Sequence, residues 1–256
     1  MNQARRPALA SLGLRLIPAV VGLAAWHLAA RWSGLPVFLL PGPVDVADVL
    51  ARSLREGILV RHVGVTLVEV VAGLTLGSVV ALGLAYPLAR SKRVERLLSP
   101  YIVASQAVPT VAIAPLLVIW FGTGLFSKIL VCALIVFFPI LINTVVGLQS
   151  VPDDLRDLMR SLRATRSQVF RHLEVPSAMP SVLGWLKIGA TLSVIGAVVG
   201  EFVGAEAGVG FLVNQARGLY NTPLVFAALI TLMTMALGLY GLVAGVERAA
   251  LAWRRR

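Results

Sequence analysis

The sequence predicts an all-α membrane protein with about six transmembrane helices, and three observations lead there. Apolar residues make up 58% of the 256 residues and charged residues only 14%, where a soluble domain carries roughly 45–50% and about 25%. The apolar residues gather into runs near the ~20 residues that cross a hydrocarbon layer of ~30 Å. Lys and Arg fall mainly in the short gaps between those runs. The length leaves little room for a soluble domain, so one membrane domain over residues 1–256 is expected, with core spans within about 63–247.

The first span is expected between residues 15 and 31, its ends extended by snorkelling of Arg15 and Arg31, with Trp26 and Trp32 placed for a membrane interface. A cleaved secretory signal competes with that reading because Arg5 and Arg6 precede the run, but no small-x-small cleavage site ends it. The second span, 63–89, is interrupted only by Glu69 and closes on Arg90, Lys92, Arg93 and Arg96. The third, 102–121, contains Pro109 and Pro115 and is expected to kink. A Gly-Thr-Gly turn at 122–124 leads to the fourth span, 129–148; the fifth follows at about 182–203 and the sixth at about 224–246. Residues 45–61 resemble an amphipathic surface helix after Pro41 and Pro43. Glycine pairs four apart, Gly73/Gly77, Gly196/Gly200, Gly200/Gly204 and Gly241/Gly245, suit close helix packing.

A formal net charge of +11 would fit nucleic-acid binding only if the cations lay on a folded polar surface, which this distribution does not provide. Topology explains the charge instead. With the N-terminus inside, seventeen Lys and Arg fall on the inner side and six (Arg31, Arg52, Arg55, Arg61, Lys128, Arg217) on the outer side, so both termini are expected in the cytoplasm. The single Cys132 excludes an intrachain disulfide.

Residues 153–174 hold nine charges in twenty-two, the one substantial polar stretch in mid-chain. Asp153 and Asp154 follow Pro152 and suit the first turn of a helix running to about Leu162. Its apolar positions Leu155, Leu158, Met159 and Leu162 recur at helical spacing, opposite Arg156, Arg160 and Arg163. Thr165 and Gln168 form a capping-box pattern for a second short helix, 166–173, which Pro176 and Pro180 are expected to end. Periodicity alone leaves two readings open: a knob that docks on a partner, or a segment lying on anionic lipid.

Residues 151–180, Val-Pro-Asp-Asp-Leu-Arg-Asp-Leu-Met-Arg-Ser-Leu-Arg-Ala-Thr-Arg-Ser-Gln-Val-Phe-Arg-His-Leu-Glu-Val-Pro-Ser-Ala-Met-Pro, resemble the EAA loop of ABC-importer permeases, placed as that family places it between the fourth and fifth spans. Ala107-Val-Pro109 with Pro115, Ile119-Trp-Phe-Gly122, Phe137-Phe-Pro139 to Asn143, and Glu201-Phe-Val-Gly204 with Gly208-Val-Gly210 extend the resemblance over nearly the whole chain, toward the branch importing nitrate, sulfonates and taurine. The resemblance implies a type I permease bundle in a bacterial cytoplasmic membrane, whose coupling loop meets a cytoplasmic ATPase through Asp157, Leu158, Met159, Arg160, Leu162, Arg163, Ala164 and Thr165. It also implies a pair of ATPase subunits that use ATP, an extracytoplasmic substrate-binding protein, and no cofactor or metal bound directly. A second permease copy is expected too, since one small bundle leaves little room for an alternating-access cavity. Two departures stand out: Asp157-Leu158-Met159 replaces Glu-Ala-Ala, and Arg163 stands where the family has Gly, whose backbone freedom serves such turns.

Gln106, Pro109, Asn143 and Glu201 are candidates for a polar pathway; Glu69 is expected at the outer interface. His27, His62 and His172 are too scattered for a metal site, and no phosphate loop is present, so the chain is not expected to be an enzyme. The rival classes are a stand-alone secondary transporter, which needs ion-coupling carboxylates deep in helices or inverted repeats, and an intramembrane enzyme, which needs a Ser/His or paired-Asp constellation within spans.

Overall fold

The computed structural model describes residues 8–252; side chains are described from residue 17 onward, apart from those of 92, 95, 98, 99, 103 and 106. The terminal arginines used above to orient the chain (Arg5, Arg6, Arg254, Arg255, Arg256) lie outside these residues. Eleven α-helices follow one another: α1 Ala8–Trp32, α2 Pro43–Arg55, α3 Ile58–Arg90, α4 Lys92–Ala107, α5 Thr110–Phe121, α6 Leu125–Gln149, α7 Asp153–Ser161, α8 Arg166–Val169, α9 Val175–Gly204, α10 Val209–Gly218 and α11 Thr222–Ala250. Four stretches are long and apolar enough to cross a bilayer, Ile58–Arg90, Leu125–Gln149, Arg166–Gly204 and Thr222–Ala250. The other two expected spans correspond to α1 and to the pair α4 and α5. Those two part at Val108 and Pro109, where the extended backbone breaks the helix as the prolines foretold.

The chain forms two compact units. One holds the described residues up to Val60 with Leu212–Ile230. In it Trp26 stacks on Phe226 at 5.5 Å and donates its indole N–H to Pro41 O at 3.0 Å. Trp26 is therefore a packing residue, unlike the exposed Trp32. Helix α2 begins where Pro43 supplies a ready-made φ and Asp45 accepts the Gly42 N–H at 2.9 Å. It stops at Arg55, short of the expected residue 61, because Gly57 takes a positive φ and α3 starts at Ile58.

The second unit holds Arg61–Phe211 and the described residues from Thr231 onward. Helix α6 is its centre, packed on α9 and α5. Glycines permit the approach: a Cβ at Gly73 would fall 2.2 Å from Cys132 Cβ, one at Gly77 2.6 Å from Ala133 O, and one at Gly196 2.8 Å from Cys132 Cα. Toward the α7 end of α6 the space is filled by Ala81, Ala85, Val136, Ile140 and Leu141. Gly241 and Gly245 face open space, so their spacing marks no contact among the described residues.

Two features of the polar stretch differ from expectation. Helix α7 ends as predicted, but residues 166–173 do not form a separate helix: α8 runs through a π-helical turn, Phe170–Glu174, directly into α9. The widened turn, in which Val175 N–H reaches back to Phe170 O, comes just before Pro176, which has no N–H to give. Pro176 and Pro180 are thus absorbed within one continuous helix. The turn after α7 is made with Arg163 at φ 51°, the left-handed region where Gly is at ease. Ala164 N–H bonds Met159 O at 3.0 Å and Arg163 N–H bonds Arg160 O at 2.9 Å, a Schellman closure. Arg163 therefore adopts an angle that a glycine takes freely, at a cost of roughly 1–2 kcal/mol.

The glycine contacts predict opposite responses to the same change. Gly73→Ala forces a methyl into Cys132 and should destabilise by about 1–3 kcal/mol, lowering the unfolding midpoint of the detergent-solubilised protein. Gly241→Ala fills empty space inside a helix and should raise the midpoint or leave it unmoved.

Candidate functional site

Helix α7 turns an unusual side outward. Arg156, on its polar side, is half-buried and donates Nη2 to Leu148 O at 3.2 Å, fastening α7 to the end of α6. Leu155, Leu158 and Leu162, on its apolar side, are exposed, Leu158 by 54% and Leu162 by 68%. Met159 is half-buried, as is Ala164, both on the protein side of the turn. Asp157 and Arg160 pair with each other at 2.8 Å on the open surface, an arrangement that adds little stability in water. Thr165 caps α8 by accepting Gln168 N–H at 3.3 Å, while Gln168 Oε1 accepts Thr165 N–H at 2.7 Å. The loop candidates from Asp157 to Thr165 thus form one contiguous surface whose geometry is fixed by caps at both ends. An amphipathic helix whose leucines are left uncovered presents an apolar face for something outside the chain.

The pathway candidates are not gathered in the same way. Asn143 spends its amide on Pro139 O at 2.8 Å, taking up a carbonyl in the helix, and its own carbonyl accepts from Ser181 Oγ. Pro109 is exposed at the break between α4 and α5, beside a cavity of about 170 Å³ lined by Ser105, Val108, Thr110 and Pro139. The side chain of Gln106 lies outside those described. Glu201 belongs to a different constellation, at the far end of α9.

There, one carboxylate organises three helices. Glu201 Oε1 accepts from Thr66 Oγ1 at 2.6 Å; its Oε2 accepts Gly210 N–H and, at 3.3 Å, Phe211 N–H, capping the start of α10. Thr66 Oγ1 in turn accepts Val209 N–H at 2.8 Å, and His62 Nδ1 accepts Gly208 N–H at 3.0 Å. With Nδ1 as acceptor, a neutral His62 ring keeps its proton on Nε2. Every orphan donor at this helix start therefore has an acceptor on α3 or α9. A Cβ at Gly208 or Gly210 would strike the Glu201 carboxyl at 2.2 and 2.6 Å, which gives the Gly-Val-Gly spacing its physical reason.

Glu69 corrects the sequence reading. Instead of an exposed interface carboxylate it is 1% exposed, three turns into α3, with its charge set against Glu201 and Lys128. Neither of its oxygens has a donor of good geometry. Lys128, counted above as an outer loop cation, is itself buried and gives its Nζ protons to Thr123 O and Gly124 O. The expectation failed because α3 begins at Ile58, five residues before the expected span. This carries Glu69 away from the interface and onto the packed face. Among the described residues no cluster of His, Cys, Asp and Glu could hold a metal.

Comparison with known proteins follows the same line. The profile of a family described as "binding-protein-dependent transport system inner membrane component" matches residues 73–251. Over 231 residues the chain is 46% identical to the riboflavin transport system permease protein RibX of Chloroflexus aurantiacus, covering 90% of this chain and 86% of that one. It is 36% identical over 254 residues to the formylaminopyrimidine transport permease protein ThiX of Halalkalibacterium halodurans, covering 99% and 98%. A putative aliphatic sulfonates transport permease protein, SsuC of Bacillus subtilis, is 31% identical over 93% of this chain and 86% of its own. Among solved structures, an inward-facing form of the MetNI methionine ABC transporter superposes with a TM-score of 0.66 at 23% identity, over 75% of this chain and 95% of that chain.

The outer network yields a local test. Thr66→Val keeps shape but removes the acceptor of Val209 N–H and a donor to Glu201, leaving buried groups unpaired at about 1–3 kcal/mol. Hydrogen exchange over residues 208–211 should accelerate in Thr66→Val and stay near the parent rate in Thr66→Ser; equal protection in all three proteins would refute the fastening role.

Proposed function

Because this chain belongs to the family of binding-protein-dependent transport system inner membrane components, we propose that it forms the membrane pathway of an ABC importer and that α7 is the part through which the ATPase drives it. As a permease subunit it is a multi-pass transport component and not an enzyme; hydrolysis of ATP falls to a partner. The observation that carries the coupling role is the outward apolar face of α7, Leu155, Leu158 and Leu162, on a helix whose opposite side is fastened to the spans by Arg156. Such a face fits a groove on a partner, the helix-in-groove mode, and a docked helix held at both ends can bias the spans between two states. Asp157, Arg160 and Arg163 surround it as polar contacts, while the half-buried Met159 and Ala164 support the turn. The orientation rests on the distribution of Lys and Arg, which puts both termini and α7 in the cytoplasm. The full assembly on this reading has two ATPases, two copies of the chain and an extracytoplasmic binding protein.

Glu201 fits a fastening role at the outer end of the bundle better than a place in the pathway, since its oxygens are occupied by Thr66, Gly210 and Phe211. Pro109 remains the pathway candidate with a cavity beside it. For the solute, the likeness to the riboflavin and formylaminopyrimidine permeases, at 46% and 36% identity, favours a small nitrogen heterocycle over the sulfonate, taurine or nitrate suggested by the motifs.

Two measurements address these statements. Leu158→Asp with Leu162→Asp, both on the exposed face, should leave the thermal stability of the isolated chain within about 0.5 kcal/mol yet remove binding-protein-stimulated ATP hydrolysis in the assembled complex; unchanged stimulation would end the coupling proposal. Titration calorimetry of the cognate binding protein should give tight binding of riboflavin or a formylaminopyrimidine, and weak or no binding of taurine, alkanesulfonates and nitrate. The reverse order would restore the sulfonate reading.

A further inference from the structure

On the inner side of α7 two cavities adjoin. The first, about 470 Å³, is lined by Arg90, Arg156, Arg160 and Arg166 together with Glu174, a size within the ~300–1,000 Å³ of small-ligand sites. Both Glu174 oxygens take Arg90 Nη2 at 3.2 Å, and Arg160 is paired with Asp157, so these charges compensate each other. Among the described residues Arg156 and Arg166 have no carboxylate within ion-pair distance, and the Nε of Arg156 is buried without an acceptor. Two positive charges therefore converge, unneutralised, on a space at the cytoplasmic end of the spans. A buried N–H with no acceptor costs free energy that an anion would recover.

The second cavity, about 300 Å³, is lined by Leu82, Thr144, Phe170, Met179 and Leu183, and shares Tyr86 and Leu148 with the first. Its residues sit deeper in the membrane than the arginines do. Leu82 lies a turn inward of Tyr86 on α3, Thr144 a turn inward of Leu148 on α6, and Met179 and Leu183 follow the π-helical turn along α9. The wall is apolar except for Tyr86, shared with the first cavity, and Thr144, which is buried with an unpartnered hydroxyl.

A cationic chamber near the span ends beside an apolar chamber further along the spans, with Tyr86 and Leu148 lining both, matches one chemical class in both parts. We propose that this double cavity holds an anionic glycerophospholipid of the inner leaflet. Its phosphate accepts from Arg156 and Arg166, an ester carbonyl accepts from Thr144, and the start of an acyl chain lies between Leu82 and Met179. A free phosphate would satisfy the arginines and leave the apolar chamber and Thr144 unfilled. Basic pockets between spans on the cytoplasmic side suit such headgroups.

The test uses the full chain in detergent, with lipid retention read by native mass spectrometry. Phosphatidylglycerol should be retained about tenfold more strongly than phosphatidylethanolamine of the same chains. Arg156→Gln with Arg166→Gln should abolish most of that preference, and Met179→Trp, which fills the apolar chamber, should weaken retention of phosphatidylglycerol. Equal retention of the two lipids by the parent protein overturns the proposal and needs no variant. So does displacement of phosphatidylglycerol by an equal concentration of inorganic phosphate, which would assign the arginines to a free anion, or full retention by Met179→Trp.

Discussion

Close contact between the backbone of α6 and those of α3 and α9 is the constraint from which the rest of the second unit follows. Lipid tails are as apolar as leucine, so helices in a bilayer gain little from burying leucines and must gain from tight packing. Gly73, Gly77 and Gly196 supply that packing around Cys132 and Ala133, where any Cβ would collide. Once the three helices lie this close, their ends are set. The outer ends bring Thr66 and Glu201 within 2.6 Å, and the inner end of α6 delivers Gln149 to the start of α7. Loosening the middle would disturb both ends together.

Polar groups in this protein gather at the ends of spans, and each end handles them differently. At the inner end charges are paired and partly wet, as in Arg90 with Glu174 and Lys187 with Glu247. At the outer end they are dry: Glu201 accepts three hydrogen bonds from α3 and α10, and Glu69 and Lys128 are buried beside it. The hydrogen bonds to Glu201 are expensive to break because each group left behind would be buried and unpaired, as the Glu69 oxygens already are. The Glu201 end of the bundle is thus the more tightly bonded one, and the α7 end carries the exposed leucines and the open cavities.

Much of this was legible in the sequence. The apolar runs, the break near Pro109, the acidic first turn at Asp153, the cap at Thr165 and the exceptional Arg163 all follow from local chemistry that the fold then respects. Two readings failed, and two further features were not legible, for reasons that are tertiary. Glu69 was assigned to an interface from its distance to the end of an apolar run, a measure that ignores which side of the helix is packed. Pro176 and Pro180 were taken as terminators, yet a π-helical turn let the helix continue through them. The face of α7 toward the spans was not readable at all: periodicity separates leucines from arginines but does not say which set turns inward. The Gly208-Val-Gly210 spacing was visible as a motif, but its cause, room for a carboxylate nine residues earlier, exists only in the folded chain.

The continuity of α8 and α9 changes what a coupling loop can do here. Had residues 166–173 formed a separate helix, force applied at α7 would have been dissipated at a second hinge. Instead Arg166–Gly204 is one rod of 39 residues, about 58 Å at 1.5 Å per residue, with the Schellman turn at Arg163 against its inner end and Glu201 a single turn from its outer end. The one soft point along it is the π-helical turn, Phe170–Glu174, flanked by Pro176. On the proposed coupling role, a displacement of α7 reaches the Glu201 network along a single helix, and the degree of bending at that turn decides whether it arrives as tilt or as translation. Phe170 sits against Tyr86 of α3 at 4.8 Å, and Glu174 is tied to Arg90, so α3 braces the soft point from the side. Rigid at the far end, braced near the bend and open at the loop, the rod has the mechanical order that a partner acting from the cytoplasm requires.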